Sequence, residues 1–272
     1  MAKKKMHPNK FTATIFKVFW FFSSSAFFFF LAYLFNNACF ALENTLNLSD
    51  FIPELNEAMA LKNITLSEWE IYFSNKDKKQ LGANPIFKRG FELFDTEIVP
   101  RDQAIALDIG CGVGFEAAWI LQKGWNRVDC IDALPIVRDY LMKNVPEDAE
   151  KQGRLTFTPV KIEDFEITTS YKLVCAYFSL FYCEKLEQFD ASMKKALNAV
   201  ASEGRFIGAF FGPKHSWNGQ KKIIFLTEEE LRSYFHDFTI EIFERTESDH
   251  DSGVGMAHYD MFHITAKKKI FF

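Results

Sequence analysis

Residues 107–115 read LDIGCGVGF. Within them, Asp108-x-Gly110-Cys111-Gly112-x-Gly114 sets three alternate glycines directly behind an apolar run. Glycines so spaced permit a tight turn and let the backbone approach a ligand closely. A helix starting behind them offers unpaired N–H groups at its mouth. A dinucleotide fingerprint would place its third glycine one residue later, where Phe115 stands, and needs no acid before the first glycine. Eighteen residues beyond Gly114, at the end of the next apolar run, stands Asp132. A carboxylate there can accept hydrogen bonds from both hydroxyls of a ribose. The pair points to a nucleoside ligand held by a non-dinucleotide loop.

Short apolar runs and amphipathic runs alternate around these residues. AIALDI (104–109) reads as a buried strand and FEAAWILQKG as the helix behind the glycine turn, ended by Gly124. RVDCID (127–132), RLTFTPV (154–160), YKLVCAYF (171–178) and GRFIGAFFG (204–212) read as further strands. PIVRDYLMKNV and LEQFDASMKKALNAVA (186–201) read as helices between them. Thr227 and Glu230 form a capping-box pair ahead of a short helix. TIEIFERT (239–246) and HYDMFHITAKK (258–268) alternate as strands around ESDHDSGVGMA, which reads as a turn-rich loop and makes this last pair antiparallel. The expected fold is a doubly wound α/β domain with a seven-stranded, mostly parallel sheet. Upstream, ITLSEWEIYF (64–73) and NPIFKRGFELF (84–94) read as helical.

The glycine loop, Asp132 and the antiparallel final pair resemble the class I S-adenosylmethionine-dependent methyltransferases over residues 65 to 268. WEIYF, SLFYC, GRFIGAFFG and MFHITAKK are similar to the small bacterial members of the tellurite-resistance type. The resemblance implies a methyltransferase with S-adenosylmethionine as cofactor and a small-molecule methyl acceptor. It implies that Asp108, Gly110, Cys111, Gly112 and Gly114 wrap the methionine part, that Asp132 holds the ribose, and that Ala133 lies beside the adenine. The loop after the third strand would meet the adenine edge. Lys161 stands where the family often has an acid, so the Ile162 backbone and the Glu163 side chain take that contact here. Ala176 and Tyr177 would flank the transferable methyl group. Tyr72 either covers the carboxylate end of the cofactor or packs its helix on the sheet. A silent methyltransferase-like binding module would show a broken loop or lack Asp132, and neither is seen.

Methyl transfer depends mainly on alignment in a dry pocket, with a base needed only for a protonated nucleophile. No catalytic residue is assigned. AYFSLFY follows the fourth strand where enzymes methylating bases or glutamine commonly carry Asn or Asp before Pro-Pro-aromatic, which argues against those substrates. Tyr177, Phe178, Phe181 and Tyr182 supply either an aromatic acceptor pocket or core. His215, His250, His258 and His263 suggest acceptor-side roles. His250 between Asp249 and Asp251 lacks a second set of ligands, so no metal is expected. A formal net charge of −4 leaves no broad basic surface for phosphates, so nucleic acid is not an expected main partner. The five cysteines, at 39, 111, 130, 175 and 183, show no C-x-x-C and no metal-ligand spacing. The domain is expected to work as a monomer or homodimer.

Residues 18–35, VFWFFSSSAFFFFLAYLF, carry no charge and follow five lysines. Eighteen residues at a rise of about 1.5 Å barely span hydrocarbon. The positive-inside rule would put the N-terminus in the cytoplasm and the domain outside, away from the supply of its cofactor. Three readings stay open: an anchor of reverse orientation, a secretion signal, or upstream sequence absent from the working protein. The expectation is that residues 1–58 are a separable apolar segment and linker. The functional domain then spans 59–272, begins near Met59 and acts in the cytoplasm; a retained segment would tether a lipid- or quinone-directed enzyme to the membrane.

Overall fold

The computed structural model describes residues 69, 71–75, 82–97, 100–219, 222–251 and 256–270. The apolar run at 18–35 and the expected start near Met59 lie outside the described residues. Among the described residues no helix is long and apolar enough to cross a membrane.

Residues 71–75 are helical, as the sequence pattern predicts for that stretch. Helix α1 (Pro85–Glu92) starts because the Asn84 side chain accepts the Ile86 N–H at 2.8 Å and proline sets the first helical dihedral. It buries Phe87 and Phe91, and a 3₁₀ turn, Leu93–Thr96, follows it. Then come β1 (Ile105–Ile109), α2 (Phe115–Gln122), β2 (Arg127–Asp132), α3 (Val137–Asn144) and β3 (Leu155–Pro159). The second half is β4 (Tyr171–Tyr177), α4 (Leu186–Ala199), β5 (Val200–Phe211), α5 (Glu228–Ser233), β6 (Phe238–Asp251) and β7 (Met256–Lys268).

The seven strands form one sheet in the order β3-β2-β1-β4-β5-β7-β6. β1 pairs in parallel with β2 on one side and β4 on the other, so the chain reverses its winding beside β1. In open α/β sheets a crevice opens at such a reversal, at the C-terminal strand ends. β7 pairs antiparallel with both β5 and β6, as expected for the last pair. Side chains alternate between two cores. Ala106, Cys130, Cys175 and Tyr177 belong to the face covered by α1, α2 and α3, whereas Leu107, Ile131, Val174 and Ala176 belong to the other.

Two sequence-based boundaries are corrected. β5 begins at Val200, where Tyr171 pairs with it, so the helix expected to reach 201 ends at Ala199. The expected loop 247–257 is mostly ladder, with Glu247 opposite Asp260 and Asp251 opposite Met256. Its polar residues find cross-strand partners: His258 Nδ1 lies 2.8 Å from Asp249, and His250 stacks on Tyr259 with centroids 3.9 Å apart. Those contacts offset the weak strand propensity of Asp, Ser and Glu.

Candidate active site

The glycine turn sits at the C-terminal end of β1. Gly110 and Gly112 have φ of +68° and +51°, in the region that favours glycine. The Gly110 and Cys111 N–H groups donate to Ile131 O at 2.7 and 3.1 Å, which ties the turn to the end of β2. The next residue but one on the turn then reaches the acid: Gly112 N–H donates to Asp132 Oδ2 at 3.2 Å, and Leu134 N–H to Oδ1 at 3.0 Å. A Cβ on Gly110 would stand 2.3 Å from Ser179 Cβ, and one on Gly114 2.2 Å from Leu141 Cδ1. A side chain at Gly110 would displace Ser179, and one at Gly114 would displace the Leu141 side-chain tip and carry the strain of a positive φ.

A cavity of about 940 Å³ opens over this turn. Asp108, Gly110, Cys111, Gly112, Asp132, Ala133, Ile162, Glu163, Tyr177 and Tyr72 line it. Gly114 instead caps α2, in the left-handed conformation, behind the wall. Ala176 is not among the wall residues: it is fully buried in the core on the other sheet face from Tyr177, because neighbouring strand residues point opposite ways. Cys111 is 6% exposed, so the cavity meets little beyond its backbone.

Asp108 is buried, and its Oδ2 has no hydrogen-bond partner. Burial pushes its carboxyl well above the usual range, and the charges of Glu116 and Asp132 push the same way. Burial also raises Asp132, against the two backbone donors that favour its ionised form. The Tyr177 hydroxyl lies 2.7 Å from His263 Nδ1, and burial raises the phenol. His263 Nε2 lies 3.1 Å from Thr246 Oγ1, and burial drops its pKa to about 4. His263 is thus a neutral core residue at ordinary pH. None of the four histidines expected on the acceptor side lines the cavity: His215 and His263 are buried among aromatic rings, and His250 and His258 stand on the β6–β7 hairpin. Phe181 is likewise core, while Phe178 and Tyr182 line the cavity.

Several wall residues escaped the sequence reading. Glu116, in the first turn of α2, accepts the Asn84 N–H at 3.3 Å and joins α1's entry to the cavity. An acid one residue into the helix behind the glycine turn was the available signal. Trp69, Phe73 and Asn84 come from the upstream helical segments, and Ser179 from the β4 exit. The walls fit a nucleoside sulfonium cofactor: a side-chain-free turn, a ribose-type carboxylate beside it, and a second buried acid with an orphaned oxygen.

Fold and site together define a doubly wound α/β domain with a cleft at its switch point, lined by the glycine turn and Asp132. Residues 107–207 match the family model of a methyltransferase domain. The fold is similar to N-methyltransferase NodS from Bradyrhizobium japonicum WM9, solved with S-adenosyl-L-homocysteine. The TM-score is 0.56 and the identity 16%, over 76% of this chain and 99% of that one. It is also similar to TehB from Haemophilus influenzae, with TM-score 0.53 and 16% identity, covering 70% of this chain and 65% of that one. A third similar fold is Burkholderia thailandensis 1,6-didemethyltoxoflavin-N1-methyltransferase, bound to 1,6-didemethyltoxoflavin and S-adenosylhomocysteine. There the TM-score is 0.51 and the identity 19%, over 74% of this chain and 85% of that one. Identities this low speak for the fold. No curated protein matches the sequence.

Proposed function

We propose that the cavity holds S-adenosylmethionine along the glycine turn and Asp132, and that the domain methylates a small-molecule acceptor. The observation that carries this is the Gly112–Asp132 contact: the turn's backbone orients a half-buried carboxylate that lines the cavity. The cofactor supplies a methyl group on a sulfonium. Asp132 accepts from the ribose hydroxyls, the Ile162 backbone and Glu163 meet the adenine edge, and Ala133 packs against it. Gly110 and Gly112 let the methionine part lie against the main chain. Asp108 offers its orphaned oxygen to that cationic end. Tyr72 covers the methionine end and excludes water, while Tyr177 forms the wall beside the methyl group. Alignment and exclusion of water supply the acceleration.

Small acceptors are supported by the similar fold of the Burkholderia enzyme, which holds 1,6-didemethyltoxoflavin. The domain is read as cytoplasmic, where the cofactor is made, as residues 59–272 and as a monomer or homodimer. N-terminal peptide analysis of the native protein and its mass in solution test those readings; peptides from residues 6–58 in the mature product would overturn the start near Met59. Calorimetry with S-adenosylhomocysteine tests the core of the proposal. The expected result is binding that Asp132→Ala weakens about 100-fold, since two hydrogen bonds to a charged group are lost. Absence of binding by folded protein would sink it.

A further inference from the structure

The cavity carries more aromatic wall than a methyl donor requires. Its volume of about 940 Å³ lies near the top of the range of roughly 300–1,000 Å³ for small-molecule sites. That volume is compatible with a small acceptor in the same cavity as the cofactor. Trp69 stacks on Phe73 with centroids 5.5 Å apart, and meets Tyr182 edge-on at 4.8 Å. Phe73 in turn lies over the glycine turn, where a Gly112 Cβ would stand 3.5 Å from its ring. One connected set of rings thus runs from the cofactor loop to the segment beyond β4. Across from it, Phe178 packs edge-on against Tyr177 at 4.9 Å. Phe178 has φ of +60°, a conformation a bulky side chain adopts only when its surroundings impose it.

That backbone kink delivers Ser179 to the cavity. Its Oγ is buried without a hydrogen-bond partner, against the side-chain-free face of Gly110. A buried hydroxyl with no protein partner calls for one from a ligand.

We propose that the acceptor is a planar aromatic molecule bearing a hydroxyl or amino group, its ring seated against Trp69 and Tyr182 and its heteroatom at Ser179 Oγ. This rests on the methyltransferase reading above. Rigid ring faces and edges favour another ring over a saturated skeleton of equal size, because aromatic pairs add quadrupole attraction to area burial. In the transfer, the heteroatom's lone pair forms the new bond to the methyl carbon, the sulfur keeps the electrons of the broken bond, and the heteroatom's proton leaves to water. Ser179 aligns the lone pair.

Calorimetry on the full chain, first with S-adenosylhomocysteine and then with 2-naphthol or decahydro-2-naphthol added to that complex, tests the assignment. The expected result is 2-naphthol binding about tenfold tighter than its saturated counterpart. Tyr182→Leu should erase the preference, and Ser179→Ala should weaken 2-naphthol severalfold, both leaving S-adenosylhomocysteine within about twofold of wild type. Unchanged cofactor-product affinity also certifies that each variant is folded. Equal binding of the two probes, or no binding of either to the complex, overturns the aromatic assignment alone. A Ser179→Ala variant that loses affinity for S-adenosylhomocysteine assigns the hydroxyl to the cofactor and overturns its acceptor role. Failure of S-adenosylhomocysteine to bind wild type removes the underlying reading, and this inference with it.

Discussion

Acids at the cavity and acids paired around β5–β7 stand in opposite states. Among the described residues neither Asp108 nor Asp132 has a cationic partner: one keeps an orphaned oxygen and the other is held by main-chain N–H groups. Around β5–β7 every such acid is matched. Glu97 and Glu241 clasp Arg205 at 2.8 and 2.6 Å, and Lys267 reaches Glu97 at 2.7 Å. Asp260, fully buried, takes Arg245 at 2.7 Å and the Lys214 N–H at 2.8 Å. Protonation follows the partners. Burial raises Asp108 and Asp132 with no cation to oppose it. Burial also pushes Glu97 and Asp260 up, but Arg205 with Lys267, and Arg245 with the Lys214 N–H, overcome it; Glu97 ends at about 2 and Asp260 below its usual value. The difference lies in the partners: cations meet the acids around β5–β7, whereas the cavity acids are left for a ligand to complete.

The contrast breaks most visibly at Arg205, whose side chain is 3% exposed. Arg205→Ala should lower unfolding stability by about 3–5 kcal/mol, because it strips Glu241 of its cation and leaves Glu97 with Lys267 alone; the urea midpoint reads it. Glu97 gives the pH signature of the matched region. Its folded pKa of about 2 lies below the ordinary value of 4.5, so its contribution is complete above pH 4.5 and is lost as pH falls towards 2. Glu97→Gln should flatten the acid limb of the stability curve in that window, removing about 2 kcal/mol of pH-dependent stability.

Asp108 should behave in the opposite sense. Its raised folded pKa means that wild type loses stability as pH climbs above the ordinary value of 3.8, where the unfolded chain ionises freely. Asp108→Asn should therefore stabilise the ligand-free domain at pH 7 by about 1 kcal/mol, or about 3 °C in Tm. The gain should shrink towards pH 4, and affinity for S-adenosylhomocysteine should fall about tenfold. An Asp108→Asn variant no more stable at pH 7 than at pH 4 would erase the distinction between the two regions. The smallest effect is the control: Arg138→Ala breaks a pair with Glu150 whose side chains are 48% and 46% exposed. It should change stability by less than about 0.5 kcal/mol and leave binding untouched.

What could be read in the sequence was local. The turn after β1 and the capping box at Thr227, where Glu230 N–H donates to Thr227 Oγ1 at 3.2 Å, depend on residues a few places apart, and the Asp132 position on a fixed offset from the turn. What could not be read was non-local. The hairpin residues 247–251 look like loop because nothing in their own pattern reveals Tyr259, His258 or Asp260 opposite them. Ala176 and Tyr177 are neighbours in sequence, yet the pleat sends one into the core and the other to the cavity. The histidines looked chemical by type, and only packing shows His263 bonded at both nitrogens inside the sheet.

The sequence by itself determined the class of fold, the glycine turn and the acid beside it, since each follows from backbone freedom, strand period or a fixed offset along the chain. Tertiary structure alone decided which acids lack a cation, which rings wall the cavity and where Ser179 points. Those properties belong to pairs of residues up to 170 places apart, as Glu97 and Lys267 are, and no local pattern encodes who meets whom across a sheet.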